Sequence, residues 1–192
     1  MANQPVNNTL TDYLIFQGKI IVCTEFCDHF TSTINFLNHQ TILGFDTETR
    51  PSFKKGISNK TTLIQFSTHD TAVLFRLVNY KIPDLVVGLL ENNNIKKVGV
   101  GTAQDIKQLQ KLRKFNPMGF IDLQTLAKNN GLEALSLRKL CEHFLAKKIS
   151  KRQQLSNWEL KELTEAQVRY AATDAYAALL IYEKMISNAP HS

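Results

Sequence analysis

Short apolar runs rich in β-branched residues alternate along this chain with stretches in which apolar residues recur every three or four positions. These are the signatures of strands and of amphipathic helices. The segment "KIIVCT" (19–24) predicts a strand, after which Thr24 is placed to cap a helix carrying Phe26, Phe30, Ile34 and Leu37. "TILGFDTE" (41–48) predicts the next strand, and "TTLIQFST" (61–68) and "TAVLFRL" (71–77), separated by "HD", predict a hairpin. Pro83 suits the first turn of a helix with Leu85, Val86, Leu89 and Leu90 on one side. "IKKVGV" (95–100) predicts a strand, and Thr102 opens a helix bearing Ile106, Leu109 and Leu112. A short strand, "GFIDL" (119–123), precedes a helix capped by Ser136, with Leu137, Leu140, Cys141, Phe144 and Leu145 as its apolar stripe. In the last helix Thr164 and Gln167 form a capping box, Leu163 and Val168 a hydrophobic staple, and the pattern runs to about Ser187. A hairpin followed by strands alternating with helices implies an α/β layer fold, a mixed central sheet flanked by helices.

One domain accounts for this pattern, because 192 residues with 43% hydrophobic content suffice for a single core. The domain is expected to span 19–187, with a polar N-terminal extension (1–18) and a loose tail (188–192). The net charge of +6 is unevenly spread: thirteen Lys/Arg and four acids lie between Lys96 and Arg152, so the rest of the chain is net negative. A positive half suits a polyanionic partner or a solvated lysine-rich surface. Cys23, Cys27 and Cys141 make no disulfide framework and are expected as reduced core residues in a reducing compartment. Cys23, Cys27 and His29 lack a fourth ligand for a zinc site. The chain opens without a signal-peptide pattern and holds no apolar run approaching a membrane span, so a cytoplasmic protein without membrane contact is expected.

The candidate chemistry lies in the carboxylates. Asp46 and Glu48 in "FDTET" are two apart in a strand and project to one face. Such a pair is either edge polarity or repels until a cation sits between the two acids. Asp105 follows Thr102 by three residues, so it suits a capping box and the helix dipole as well as a site. The glycines of "GVGTAQ" stop short of a dinucleotide-binding loop, since Gln104 stands where the third glycine belongs. Tyr170 and Asp174, four apart in "YAATDAY", stack on one helical face. Together the four acids can build an oxygen-rich pocket of the kind preferred by hard divalent cations. Asp122 reads as a helix N-cap or as a group supporting the pocket from behind.

Three stretches resemble, in order and in context, the motifs of the DEDDy branch of the 3′–5′ exonucleases, whose members include ribonuclease D and the Werner exonuclease domain. They are "LGFDTET" with Asp46 and Glu48, "VGVGTAQDIKQL" with Asp105, and "LTEAQVRYAATDAYAALLIY" with Tyr170 and Asp174; "LSNWELKELT" (155–164) is also typical. The resemblance implies a ribonuclease-H-like fold and a two-metal mechanism. Two Mg²⁺ or Mn²⁺ ions would be held by Asp46, Glu48, Asp105 and Asp174, with Tyr170 orienting or helping to deprotonate the attacking water. It implies a monomer acting on DNA or RNA with a free 3′ end and needing no nucleotide cofactor. Lys147, Lys148, Lys151 and Arg152 are candidates to grip phosphates, or are plain surface cations. Trp158 is a candidate to stack on a base or sugar, or is a half-buried loop anchor. Two other readings are a silent nucleic-acid-binding scaffold, which would be expected to have lost a ligand acid, and a proofreading subunit working with a polymerase.

Overall fold

The computed structural model describes residues 12–52, 59–133 and 135–188; the rest of the expected N-terminal extension and the tail beyond Asn188 lie outside the described residues. Strands β1 (Lys19–Cys23), β2 (Ile42–Thr49), β3 (Thr61–Ser67), β4 (Thr71–Arg76), β5 (Lys96–Gly99) and β6 (Phe120–Asp122) form one sheet, in the order β1-β4-β3-β2-β5-β6. The sheet is mixed, as expected. β3 runs antiparallel to both neighbours, while β1 is parallel to β4, β5 to β2 and β6 to β5. The helices are α1 (Phe30–Asn38), α2 (Asp84–Glu91), α3 (Thr102–Leu112), α4 (Leu123–Asn129), α5 (Leu137–Leu145) and α6 (Glu165–Ser187).

Strand alternation assigns the two faces. Leu43 and Phe45 of β2 join Ile64, Phe66, Val73 and Phe75 in a core with residues of α1, α2 and α3. The other face packs on α6: Leu63 and Leu74 meet Trp158 and Ala171, and Val98 meets Ala177, Ala178 and Ile181, with α4 and α5 alongside. Gly44, Asp46 and Glu48 fall in the α6 register. At Gly44 the contact is backbone to backbone, for an added Cβ would run into the Ala175 carbonyl and lie 3.2 Å from Leu179 Cβ. The capping box forms as expected: the Thr164 hydroxyl accepts from the Gln167 amide at 3.2 Å, and Gln167 Oε1 accepts from the Thr164 amide at 3.0 Å.

Five expectations need correction. First, α1 begins at Phe30, with His29 as its N-cap; Thr24 instead turns the chain, its carbonyl accepting from the Cys27 amide at 3.2 Å, and Phe26 is exposed. Second, that turn brings Cys23 and Cys27 into a disulfide, with Cα atoms 6.2 Å apart, leaving only Cys141 as a free buried thiol. The cysteine argument for a reducing compartment thereby loses its footing. Third, the domain reaches further toward the N-terminus than residue 19: Leu14 and Phe16 are buried, Phe16 in contact with Ala72, Ala172 and Tyr176. Fourth, Leu85 is exposed, and Val87 takes its place on the core face of α2. Fifth, α3 is entered through Gly101, whose φ of 73° is the left-handed turn that favours glycine. Thr102 is therefore inside the helix, and the capping box with Asp105 does not form.

The close approach at Gly44 gives a first prediction. Gly44→Ala must push α6 away from β2, which is expected to cost about 1–3 kcal/mol by overpacking. A denaturant titration of the variant should show that loss; an unchanged midpoint would mean that the helix yields without cost.

Candidate active site

Asp46 and Glu48 project from β2 toward α6, and α6 returns Tyr170 and Asp174 one turn apart over the same strand. One oxygen each of Asp46, Glu48 and Asp174 lies within 4.8 Å of the others. Asp105 falls outside that tight set. It comes from α3, on the other side of the sheet, and Thr47 Oγ1 donates to its Oδ1 at 2.7 Å. The Thr47 amide meanwhile donates to Asp46 Oδ1 at 2.9 Å. Thr47, between the two acids and facing the other way, was missed by the sequence reading; strand alternation is the signal that could have found it. Of the two roles weighed for Asp122, the helix N-cap is the one its geometry shows. Its Oδ1 caps α4 by accepting from the Gln124 amide at 2.8 Å, and its charge raises the pKa of Asp105.

The electrostatics follow from burial and crowding. Burial, then the charges of Asp46, Asp174 and Asp105, pushes Glu48 up to about 10. Asp46 is held well above the usual carboxylate range by burial and by Asp105 and Asp174. Burial pushes Asp174 up to about 7, against a hydrogen bond from Tyr170, and Asp105 up to about 6, against the bond from Thr47. Burial first, then Asp174 and Glu48, raises the Tyr170 phenol above its ordinary value. A divalent cation fits this donor set, made of carboxylate oxygens alone. Asp174 Oδ1 is buried and accepts no hydrogen bond from the described residues, which costs free energy, and Asp174 is one of the three acids brought together here.

Asp46, Glu48, Asp174 and Tyr170 line a cleft of about 290 Å³, with Arg138, Lys151 and Gln154 as further walls, and Asp105 is not among its lining residues. Of the residues expected to meet nucleic acid, Lys151 therefore lies at the site. Lys148 and Arg152 border an adjoining groove, and Lys147 is paired with Asp12 at 2.6 Å. Trp158 is corrected: it is 1% exposed, its ring centroid 6.0 Å from that of Tyr170. It anchors its loop in the core and offers no face to a base. Arg138 was not singled out from the sequence, where it reads as one cation among many.

The family model described as 3′–5′ exonuclease matches residues 21–188. The chain is 36% identical over 184 residues to the Mus musculus bifunctional 3′–5′ exonuclease/ATP-dependent helicase WRN, a match covering 90% of this chain and 13% of that protein. It is 32% identical over 154 residues to an Arabidopsis thaliana 3′–5′ exonuclease, covering 77% of this chain and 53% of that one. The crystal structure of the Aedes aegypti Nibbler EXO domain matches with a TM-score of 0.75 at 26% identity, over 88% of this chain and 87% of that chain. Escherichia coli RNase D shares the fold, with a TM-score of 0.76 at 22% identity over 88% and 44% of the two chains. The chain belongs to the 3′–5′ exonuclease family, in its DEDDy branch, and has a ribonuclease-H-like fold. It spans about half, or much less, of the length of these sequence relatives.

The raised carboxylates give a second prediction. A group whose pKa is higher folded than unfolded stabilises the fold while protonated, and that contribution is lost as pH rises through the folded value. In chelator the protein should therefore lose stability between pH of about 4 and 7, as Asp105 and Asp174 ionise. Mn²⁺ should restore it, by about 2.7 kcal/mol at a hundredfold excess over its dissociation constant. Calorimetric scans at pH 5 and pH 8, with and without Mn²⁺, check this; a metal-free midpoint that rises with pH contradicts it.

Proposed function

We propose that this chain removes nucleotides from the 3′ end of DNA or RNA by metal-assisted hydrolysis of the terminal phosphodiester bond. The observation that carries this reading is the convergence of Asp46, Glu48 and Asp174 beside Tyr170 in a cleft, with Asp174 Oδ1 buried and unpartnered among the described residues. The family match supports it. Asp46, Glu48, Asp105 and Asp174 would hold two divalent cations, Mg²⁺ or Mn²⁺. Bound there, the cations supply a water of lowered pKa and compensate the charge of the scissile phosphate. Water oxygen bonds to phosphorus as the bond to the 3′ oxygen of the penultimate nucleotide breaks, leaving a shortened strand with a 3′ hydroxyl.

The chain's own residues divide the remaining work. Thr47 fixes Asp46 through its amide and Asp105 through its hydroxyl, so one residue sets the separation of two acids from different elements. Burial raises the Tyr170 phenol above its ordinary value, which favours the protonated hydroxyl. Tyr170 therefore orients the attacking water through a hydrogen bond and does not serve as its base.

The test is digestion of 5′-labelled DNA and RNA oligonucleotides by the purified chain with Mn²⁺ and with chelator. Shortening from the 3′ end with Mn²⁺ alone is expected; intact strands in both conditions would sink the reading in favour of a silent scaffold. Asp174→Asn should abolish shortening. Tyr170→Phe should bind Mn²⁺ as the wild type does and slow the single-turnover step by roughly 10²-fold, the loss expected of one positioned hydrogen bond. An unaltered rate would make Tyr170 a packing residue.

A further inference from the structure

The cleft does not end at the acids. Arg138 and Lys151 line it, and both also line an adjoining groove of about 730 Å³ that continues past Lys148 and Arg152 to Tyr13 and Ile15. A smaller branch of about 200 Å³ connects Ile15 and Arg152 with Tyr170. Shared lining residues place the three hollows side by side between the reacting groups and the N-terminal segment. Four cations and no acid border the larger groove. Arg138 is held at its Nε by Glu142 at 2.8 Å, and Lys148, Lys151 and Arg152 make no ion pair among the described residues.

The opposite character appears on the segment 12–16. Tyr13 is 52% and Ile15 46% exposed, while Leu14 and Phe16 between and beyond them are buried. The exposed pair is not on a loose end. The Leu14 amide donates to the Lys148 carbonyl at 2.8 Å and the Lys148 amide to the Asp12 carbonyl at 3.0 Å. The Phe16 amide donates to Thr173 Oγ1 at 3.1 Å, and Arg169 Nη1 donates to the Phe16 carbonyl at 3.0 Å. Thr173 and Arg169 belong to α6, the helix that carries Tyr170 and Asp174. The backbone that carries an exposed aromatic side chain is therefore held to the same frame as the site, beside unpaired cations. A ring for stacking beside a positive groove that tracks phosphates is how single-stranded nucleic acid is bound without sequence preference.

We propose that the single strand leading to the reacting 3′ end lies in this groove, with phosphates at Arg138, Lys148, Lys151 and Arg152 and an unpaired base stacked on Tyr13. The assignment rests on the exonuclease reading and adds to it a strand path and a single-strand preference. A base must be unpaired to present its face to Tyr13, so a blunt duplex is the poorer ligand.

Binding is measured first, in chelator, by fluorescence anisotropy of a labelled oligonucleotide of about 12 nucleotides, single-stranded or as a blunt duplex. The single strand should bind tighter, Tyr13→Ala should weaken it roughly tenfold with Tyr13→Phe restoring it, and Arg152→Gln should lower the salt dependence by about 0.7 in log–log slope. With Mn²⁺, Tyr13→Ala should raise KM on that strand and leave a dinucleotide unaffected. Single-strand binding by Tyr13→Ala within twofold of the wild type, or a duplex bound more tightly, overturns the groove assignment. Because binding is read without turnover, a wild type that binds through Tyr13 yet cuts nothing refutes the exonuclease reading alone, and one that cuts regardless of Tyr13 refutes the groove alone.

Discussion

How near the α6 backbone comes to β2 governs the rest of the structure. Asp46 and Glu48 could face α6 and still meet nothing if a side chain at position 44 held the helix off. Gly44 removes that spacer on the strand, and the run of buried alanines at 171, 172, 175, 177 and 178 removes it on the helix. The alanine-rich composition of "YAATDAY" is thus a packing requirement, and Tyr170 and Asp174 are the two interruptions that face the acids. Anchors at the helix start keep the register: Gln167 closes the capping box and, through Nε2, donates to Ser156 Oγ at 2.9 Å and to the Asn157 carbonyl at 3.1 Å. That loop delivers Trp158 to the core beneath Tyr170.

The same closeness sets the electrostatic cost. Buried carboxylates a few ångströms apart cannot all ionise cheaply, and the fold meets the problem in two ways. It distributes the acids over three elements whose positions are fixed by apolar packing, so repulsion cannot relax by a side-chain swing. It also supplies donors only to part of the set, from Thr47 and Tyr170. The uncompensated remainder leaves the cluster short of a self-contained hydrogen-bond network, which is the feature that the proposed cations would complete.

Much of this was legible in the sequence because the patterns involved are local. The six strands, the hairpin and the α6 capping box follow from alternation and from spacings of at most a few residues, and the Asp46–Glu48 and Tyr170–Asp174 pairs follow from the periods two and four. What was not legible depends on contacts distant in sequence or on backbone conformation. "YLIF" is a continuous apolar run, and which of its residues are buried depends on α6, more than 150 residues away. α3 starts at Thr102 as the spacing implies, but the capping box with Asp105 does not form, because Gly101 enters the helix through a left-handed turn. Trp158 could be read as a loop anchor or a stacking platform; only its burial against Leu63, Leu74 and Ala171 decides. The cysteine pair depended on a turn that the helical spacing of Phe26 and Phe30 concealed.

The buried polar atoms without a hydrogen-bond partner among the described residues belong to Gln65, Trp158 and Asp174. All three sit on the α6 side of the sheet, Gln65 directly across the ladder from Asp46. Each such group costs about 1–3 kcal/mol, and a protein of this size cannot carry many by accident. The sheet face under α1, α2 and α3 holds an apolar cluster instead. Among the described residues the unpartnered buried polar atoms thus lie on one face, near one cleft, where local rules of folding are broken and stability is given up. A cation shared by Asp46, Glu48 and Asp174 would give Asp174 Oδ1 a partner and lift the repulsion around it. On this reading the loaded site, and not the empty one, is the state toward which β2 and α6 are packed.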